Sequence, residues 1–197
     1  SNKNMRINQF LARHTSLSRR QADTAVSSGR VEINGVLAVL GDIVIGSDKV
    51  SLDGKTVKDG GESLTVMLNK PAGYVCSRRG QGNKTIYELL ANEYRRLNPV
   101  GRLDKNSSGL LILTNDGTLA NELSHPSNNK QKVYEARLNK HISPTDVTKV
   151  SEVGVDIGDS RPSKFQIEVK KGMLTCKLTE GRNRQIRRTF DALGYKV

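Results

Sequence analysis

Gly101-Arg102-Leu103-Asp104-Lys105-Asn106-Ser107-Ser108-Gly109-Leu110-Leu111 sets a single carboxylate in a loop rich in glycine and serine and then runs directly into an apolar segment. That segment, Leu110 to Thr114, stops at Asn115-Asp116-Gly117, which is turn chemistry, so it reads as a strand. Asp104 therefore stands in a loop at the entrance to a strand. Two uses of such a residue are open. It can bond its own backbone as a turn residue, which composition alone favours, or it can present an ionised oxygen as a nucleophile.

Outward from this loop the pattern is mostly strand. Thr65 to Leu68 is a short apolar strand leading to Asn69-Lys70-Pro71, and a helix from about Thr118 stops before Pro126. Val133 to Leu138, Phe165 to Val169 and Leu174 to Leu178 alternate, the last two on either side of Lys170-Lys171-Gly172. Asn183 is placed to cap a last helix with Ile186, Phe190 and Leu193 on its buried face and Gly194 at its end. Towards the N-terminus, Ile7, Phe10 and Leu11 form a helical stripe, and Ser18-Arg19-Arg20-Gln21 is a capping box opening a second helix that ends at Gly29. Short strands follow, with hairpin turns at Asn34-Gly35 and Asp53-Gly54. Lys58 to Ser63 is polar and without periodicity, hence a linker. The expected architecture is α+β: a small module over 5–57, a linker over 58–63 and a larger domain over 64–197.

The balance of 32 Lys plus Arg against 20 Asp plus Glu, a formal net charge of +12 in 197 residues, calls for a polyanionic partner. No apolar run reaches the length of a spanning helix, so nucleic acid is favoured over a membrane. Cys76 and Cys176 are far apart among apolar neighbours and read as buried, reduced thiols. His14, His125 and His141 share no ligand spacing with them, so no metal site is expected. Ser1 to Phe10 carries no signal-peptide pattern, and the expectation is a cytoplasmic protein.

The run around Asp104 resembles the catalytic loop of pseudouridine synthases, specifically the RsuA-type family that modifies ribosomal RNA. Two further segments resemble that family's later motifs in the right order: Lys132-Val133-Tyr134-Glu135-Ala136, and Leu178-Thr179-Glu180-Gly181-Arg182-Asn183-Arg184-Gln185-Ile186-Arg187-Arg188. The resemblance implies that Asp104 is the nucleophile, attacking ribose C1′ or uracil C6, that Tyr134 stacks on the target base and that Arg187 pairs with Asp104. Alternation alone also allows Tyr134 as a core residue, and spacing alone allows an Arg187–Asp191 surface pair. Lys70 and Pro71 would shape the pocket wall. No cofactor, donor group or redox partner is implied, because the reaction rearranges bonds within one nucleotide.

Residues 5–57 resemble the αL RNA-binding domain of a small-subunit ribosomal protein. Arg19 and Arg20 fall in the first turn of a helix, where the macrodipole disfavours cations unless an anion compensates. They and Arg30 are the expected RNA contacts of this module, Arg6 less so. Arg102, Arg182, Arg184 and Arg188 are the expected contacts of the larger, mainly antiparallel mixed-sheet catalytic domain with its flanking helices. The family continues past Val197 into a further strand, so this chain reads as truncated or short of a tail. The expected assembly is a monomer acting on RNA. The rival reading is a non-catalytic RNA-binding or ribosome-assembly protein on the same scaffold.

Overall fold

The computed structural model describes residues 4–58 and 63–197; the expected linker lies mainly on residues outside that set. Contacts divide the chain into two compact units, residues 1–122 and 123–197.

The first unit opens with β1 (Met5–Arg6), α1 (Ile7–His14) and α2 (Arg19–Ser27). The expected capping box is complete at α2: Ser18 Oγ accepts from Gln21 N at 3.2 Å, and Gln21 Oε1 accepts from Ser18 N at 2.8 Å. Ala22 and Ala25, both fully buried, let α2 approach α1 closely over Ile7 and Leu11. Next come β2 (Val31–Ile33), β3 (Val36–Leu37), β4 (Ile43–Val44), β5 (Val50–Leu52) and β6 (Lys55–Thr56). They form a sheet in the order β3-β2-β5-β6, with β4 paired instead to β1. Both hairpin turns take the left-handed pairs that a two-residue type I′ turn demands, Asn34 with Gly35 and Asp53 with Gly54.

The remainder of the first unit is β7 (Thr65–Lys70), two 3₁₀ turns (Ile86–Leu89 and Asn92–Tyr94), β8 (Asn98–Val100), β9 (Gly109–Thr114) and the start of α3 (Gly117–Ser124). β9 is the central strand of the β7-β9-β8 sheet and buries Leu111 and Leu113 against Cys76, Ile86 and Leu97. Asp116 Oδ1 accepts from Thr118 N and Leu119 N and so starts α3 close to where the turn residues place it.

The second unit holds β10 (Lys132–Ala136), α4 (Pro144–Thr148) running on into a π turn over Lys149–Val153, β11 (Gln166–Lys170), β12 (Met173–Leu178) and α5 (Gln185–Ala192). The sheet order is β10-β12-β11, and its core gathers Val150, Phe165, Leu174, Cys176 and Phe190. All ladders between named strands are antiparallel; a parallel pairing occurs at the isolated Val75–Thr85 bridge. One expectation is corrected. Asn183 does not cap α5: the capping residue is Arg184, in left-handed conformation at φ 47° and without a side-chain cap. The Gln185 side chain supplies the local closure instead, its Oε1 accepting from Arg182 N at 3.2 Å. Among the described residues no helix is long and apolar enough to cross a membrane.

Candidate active site

Asp104 is half-buried in the loop between β8 and β9, and the backbone of that loop is fastened rather than left to solvent. Glycines in positive-φ conformation stand at both ends, Gly101 at 76° and Gly109 at 128°; the second value lies where a side chain is scarcely tolerated. Ser107 N donates to Asp104 O at 3.0 Å, closing the turn. The main anchor is Lys70, at the end of β7. It is 0% exposed, and its ammonium donates to the carbonyl oxygens of Ser107 (2.8 Å), Pro71 (3.0 Å), Asp104 (3.1 Å) and Lys105 (3.4 Å). An ammonium has three protons, so these four acceptors share it through at least one bifurcated bond.

The electrostatics of that anchor are a contest. Burial pushes Lys70 below the ordinary lysine value, a shift that the Asp104 carboxylate partly opposes. The hydrogen bonds from a charged donor are what make a fully buried lysine tolerable. The resemblance implies a place for Lys70 in the pocket wall and says nothing of its hold on the loop backbone. Only the abrupt Asn69-Lys70-Pro71 end of an apolar strand hinted at it. A second unforeseen fastener is Cys76, whose thiol donates to Leu103 O at 3.3 Å and accepts from Leu103 N at 3.4 Å. Both cysteines are free and buried, as expected.

In the second unit Tyr134 lies on the inner face of β10, directly opposite Cys176 on β12, and packs half-buried against the core. Burial raises the Cys176 thiol to about 12, so it is inert as a nucleophile. Arg187 is half-buried on α5, with Nη1 3.5 Å from Val197 O.

Arg182 and Arg188, expected at phosphates, are largely occupied by the fold. Arg188 donates to Asp159 Oδ1 at 2.6 Å and to Ile157 O at 2.5 Å. Arg182, its side chain 16% exposed, donates to Glu180 Oε1 at 2.8 Å and to the carbonyls of Arg161 and Pro162 at 2.7 and 2.9 Å. Arg161 completes the network on Glu180 at 2.5 Å. Arg184, expected at phosphates with them, is exposed at the helix entrance.

These pairs predict an acid sensitivity. Hydrogen bonding by Arg188, with Arg182 behind it, holds the Asp159 carboxyl below its ordinary value of 3.8 against desolvation. At Glu180 burial pushes up, but Arg182 and Gln185 bring the net value below the ordinary 4.5. A depressed carboxylate contributes stability that is complete above the unfolded value and lost as pH falls through the folded one. Urea unfolding of wild type and Asp159→Asn is therefore expected to show a gap at pH 7 that narrows below pH 3.8. An equal gap at both ends of that range would show that Asp159 carries no such linkage.

In the N-terminal module Arg19 and Arg20 occupy the first two positions of α2 and are exposed. Arg30 is engaged instead with Asp53 through two bonds, Nε to Oδ1 at 2.8 Å and Nη2 to Oδ2 at 2.6 Å. Arg102 is exposed in the Asp104 loop. Among the described residues no cluster of His, Cys, Asp and Glu could hold a metal ion.

Residues 64–192 match the RNA pseudouridylate synthase family and residues 5–48 match the S4 domain. Ribosomal large subunit pseudouridine synthase B of Bacillus subtilis (strain 168) is 37% identical over 201 residues, covering 98% of this chain and 82% of that protein. The dual-specificity RNA pseudouridine synthase RluF of Escherichia coli (strain K12) is 32% identical over 197 residues, covering 98% and 67%. A crystal structure of a pseudouridylate synthase superposes with a TM-score of 0.67 at 30% identity, over 98% of this chain and 85% of that one. The chain, with an S4 domain ahead of a catalytic domain, belongs to the RNA pseudouridylate synthase family, of RsuA type, and is a pseudouridine synthase.

Proposed function

We propose that this enzyme isomerises specific uridines of ribosomal RNA, with Asp104 as nucleophile and no cofactor. The observation that carries the assignment is the fastening of the Asp104 loop: a buried cation holds the carbonyls of Asp104, Lys105 and Ser107, which fixes the backbone that presents the carboxylate. The names of the relatives support ribosomal RNA, since the Bacillus subtilis protein is named a ribosomal large subunit pseudouridine synthase.

The chemistry asks little else. The N1–C1′ bond breaks and a C5–C1′ bond forms in the same nucleotide, with one proton leaving C5 and one arriving at N1. A carboxylate can attack C1′ or C6 and depart again. In this reading Tyr134 stacks on the extruded base and Arg187 is the partner of the nucleophile. RNA is gripped through Arg19, Arg20, Arg102 and Arg184, while Arg30, Arg182 and Arg188 position their neighbours. The RNA-binding module spans 5–57 and the catalytic domain 64–197, and a monomer in the cytoplasm suffices.

The test is tritium release. Large-subunit ribosomal RNA transcribed with [5-³H]uridine is expected to lose label to water with the enzyme after dialysis against chelator, to a plateau set by the number of target uridines. Release of no tritium from this transcript, with small-subunit and transfer RNA as alternatives, would favour the non-catalytic reading.

A further inference from the structure

The segment Ser77-Arg78-Arg79-Gly80-Gln81-Gly82-Asn83-Lys84 carries three cations and no acid, and none of the roles above uses it. It is a built loop. The Val75–Thr85 bridge closes its base, with Val75 N donating to Lys84 O at 2.9 Å. Inside, Asn83 N donates to Gly80 O at 2.9 Å, Ser77 Oγ to Arg79 O at 2.5 Å, and Gln81 and Gly82 turn the chain in left-handed conformation. Gly80 is required by close approach, since a Cβ there would fall 2.1 Å from Asn83 O.

The loop is also tied to the loop that presents Asp104. Lys105 Nζ donates to Asn83 Oδ1 at 2.7 Å, and Cys76, the residue before Ser77, exchanges its two bonds with Leu103. The three cations divide by role. Arg78 is engaged by the fold: it donates to the carbonyls of Arg95 and Leu97 at 2.9 and 3.1 Å and lies 4.3 Å over the Tyr87 ring. Arg79 and Lys84 are exposed. Among the described residues the Arg79 guanidinium has no hydrogen bond or ion pair, and the Lys84 ammonium lies 6.0 Å over the Tyr74 ring.

We propose that this loop is a second RNA-binding element, in which Arg79 and Lys84 take backbone phosphates of nucleotides flanking the uridine at Asp104. The inference deepens the proposed function and rests on it for the position of that uridine. A rigid, acid-free loop bonded to the nucleophile's own loop puts fixed positive charge where a substrate strand must pass, and a single-stranded phosphate is the ligand such charge fits.

The experiment compares Arg79→Ala/Lys84→Ala with the charge-keeping Arg79→Lys/Lys84→Arg on the [5-³H]uridine large-subunit transcript. The alanine pair is expected to flatten the log–log salt dependence of binding by about 1.4 units, about 0.7 for each single-strand phosphate, and to raise KM roughly tenfold. Its kcat at saturating RNA stays within about twofold, and the charge-keeping pair behaves as wild type. An unchanged slope overturns the proposal, and so does a charge-keeping pair as impaired as the alanine pair, which would make the loop a folding element. If wild type released no tritium and the slope still fell, the RNA contact would stand and the catalytic assignment would fall.

Discussion

Asp104→Asn is expected to abolish tritium release, by roughly three orders of magnitude or more, while leaving RNA affinity and thermal stability close to wild type. Asn keeps the size of the side chain and lacks the ionised oxygen. The loop survives because Lys70 bonds the carbonyl oxygen of Asp104, and that group is the same in the variant. Steady-state release, gel-shift affinity and a melting curve on one preparation check all three parts. Release above a few per cent of the wild-type rate would make Asp104 a turn residue, the use that composition alone favoured.

Lys70→Met should show the converse, a loss that begins with stability. Methionine fills the volume but strands the carbonyls that Lys70, itself without exposure, now serves. Each stranded buried acceptor costs about 1–3 kcal/mol, so a total of about 3 kcal/mol or more is expected. At about 2–4 °C per kcal/mol for a chain of this size, the melting temperature should fall by roughly 6–12 °C. Turnover should fall with it, through a loop no longer held for attack. Assays well below the melting point separate the two effects: full activity in the folded variant would show that the anchor serves stability alone. Lys70→Arg should not rescue, since a planar fork does not fit acceptors gathered around a point charge.

What was legible in the chain follows from the range of the interactions involved. The N-terminal module rests on local chemistry, the Ser18–Gln21 capping box and two left-handed turn pairs, and those residues stand within four positions of one another. The alternating strands of the second unit were readable for the same reason. The Asn183 cap misplaced the entrance of α5 because an arginine in left-handed conformation carries no marker in its type. The α4 helix, its π turn and the two 3₁₀ turns are short and lack periodicity. At the site, Asp104 and its loop were visible as a run, whereas the anchor was not. Lys70 meets oxygens 34 to 37 residues downstream, and backbone carbonyls have no letter in a sequence. Arg188 likewise looked free for phosphate because its partner Asp159 lies 29 residues away.

The same anchor bears on how this enzyme can diversify. Lys70 grips main-chain oxygens, which every amino acid possesses, so its hold on the loop does not depend on which side chains stand at Lys105 and Ser107. Substitution at those two positions leaves the grip of Lys70 in place, although at Lys105 it removes the bond to Asn83. A scaffold that separates the holding of a nucleophile from the surface around it can acquire new target uridines by ordinary substitution, and leave its chemistry unaltered.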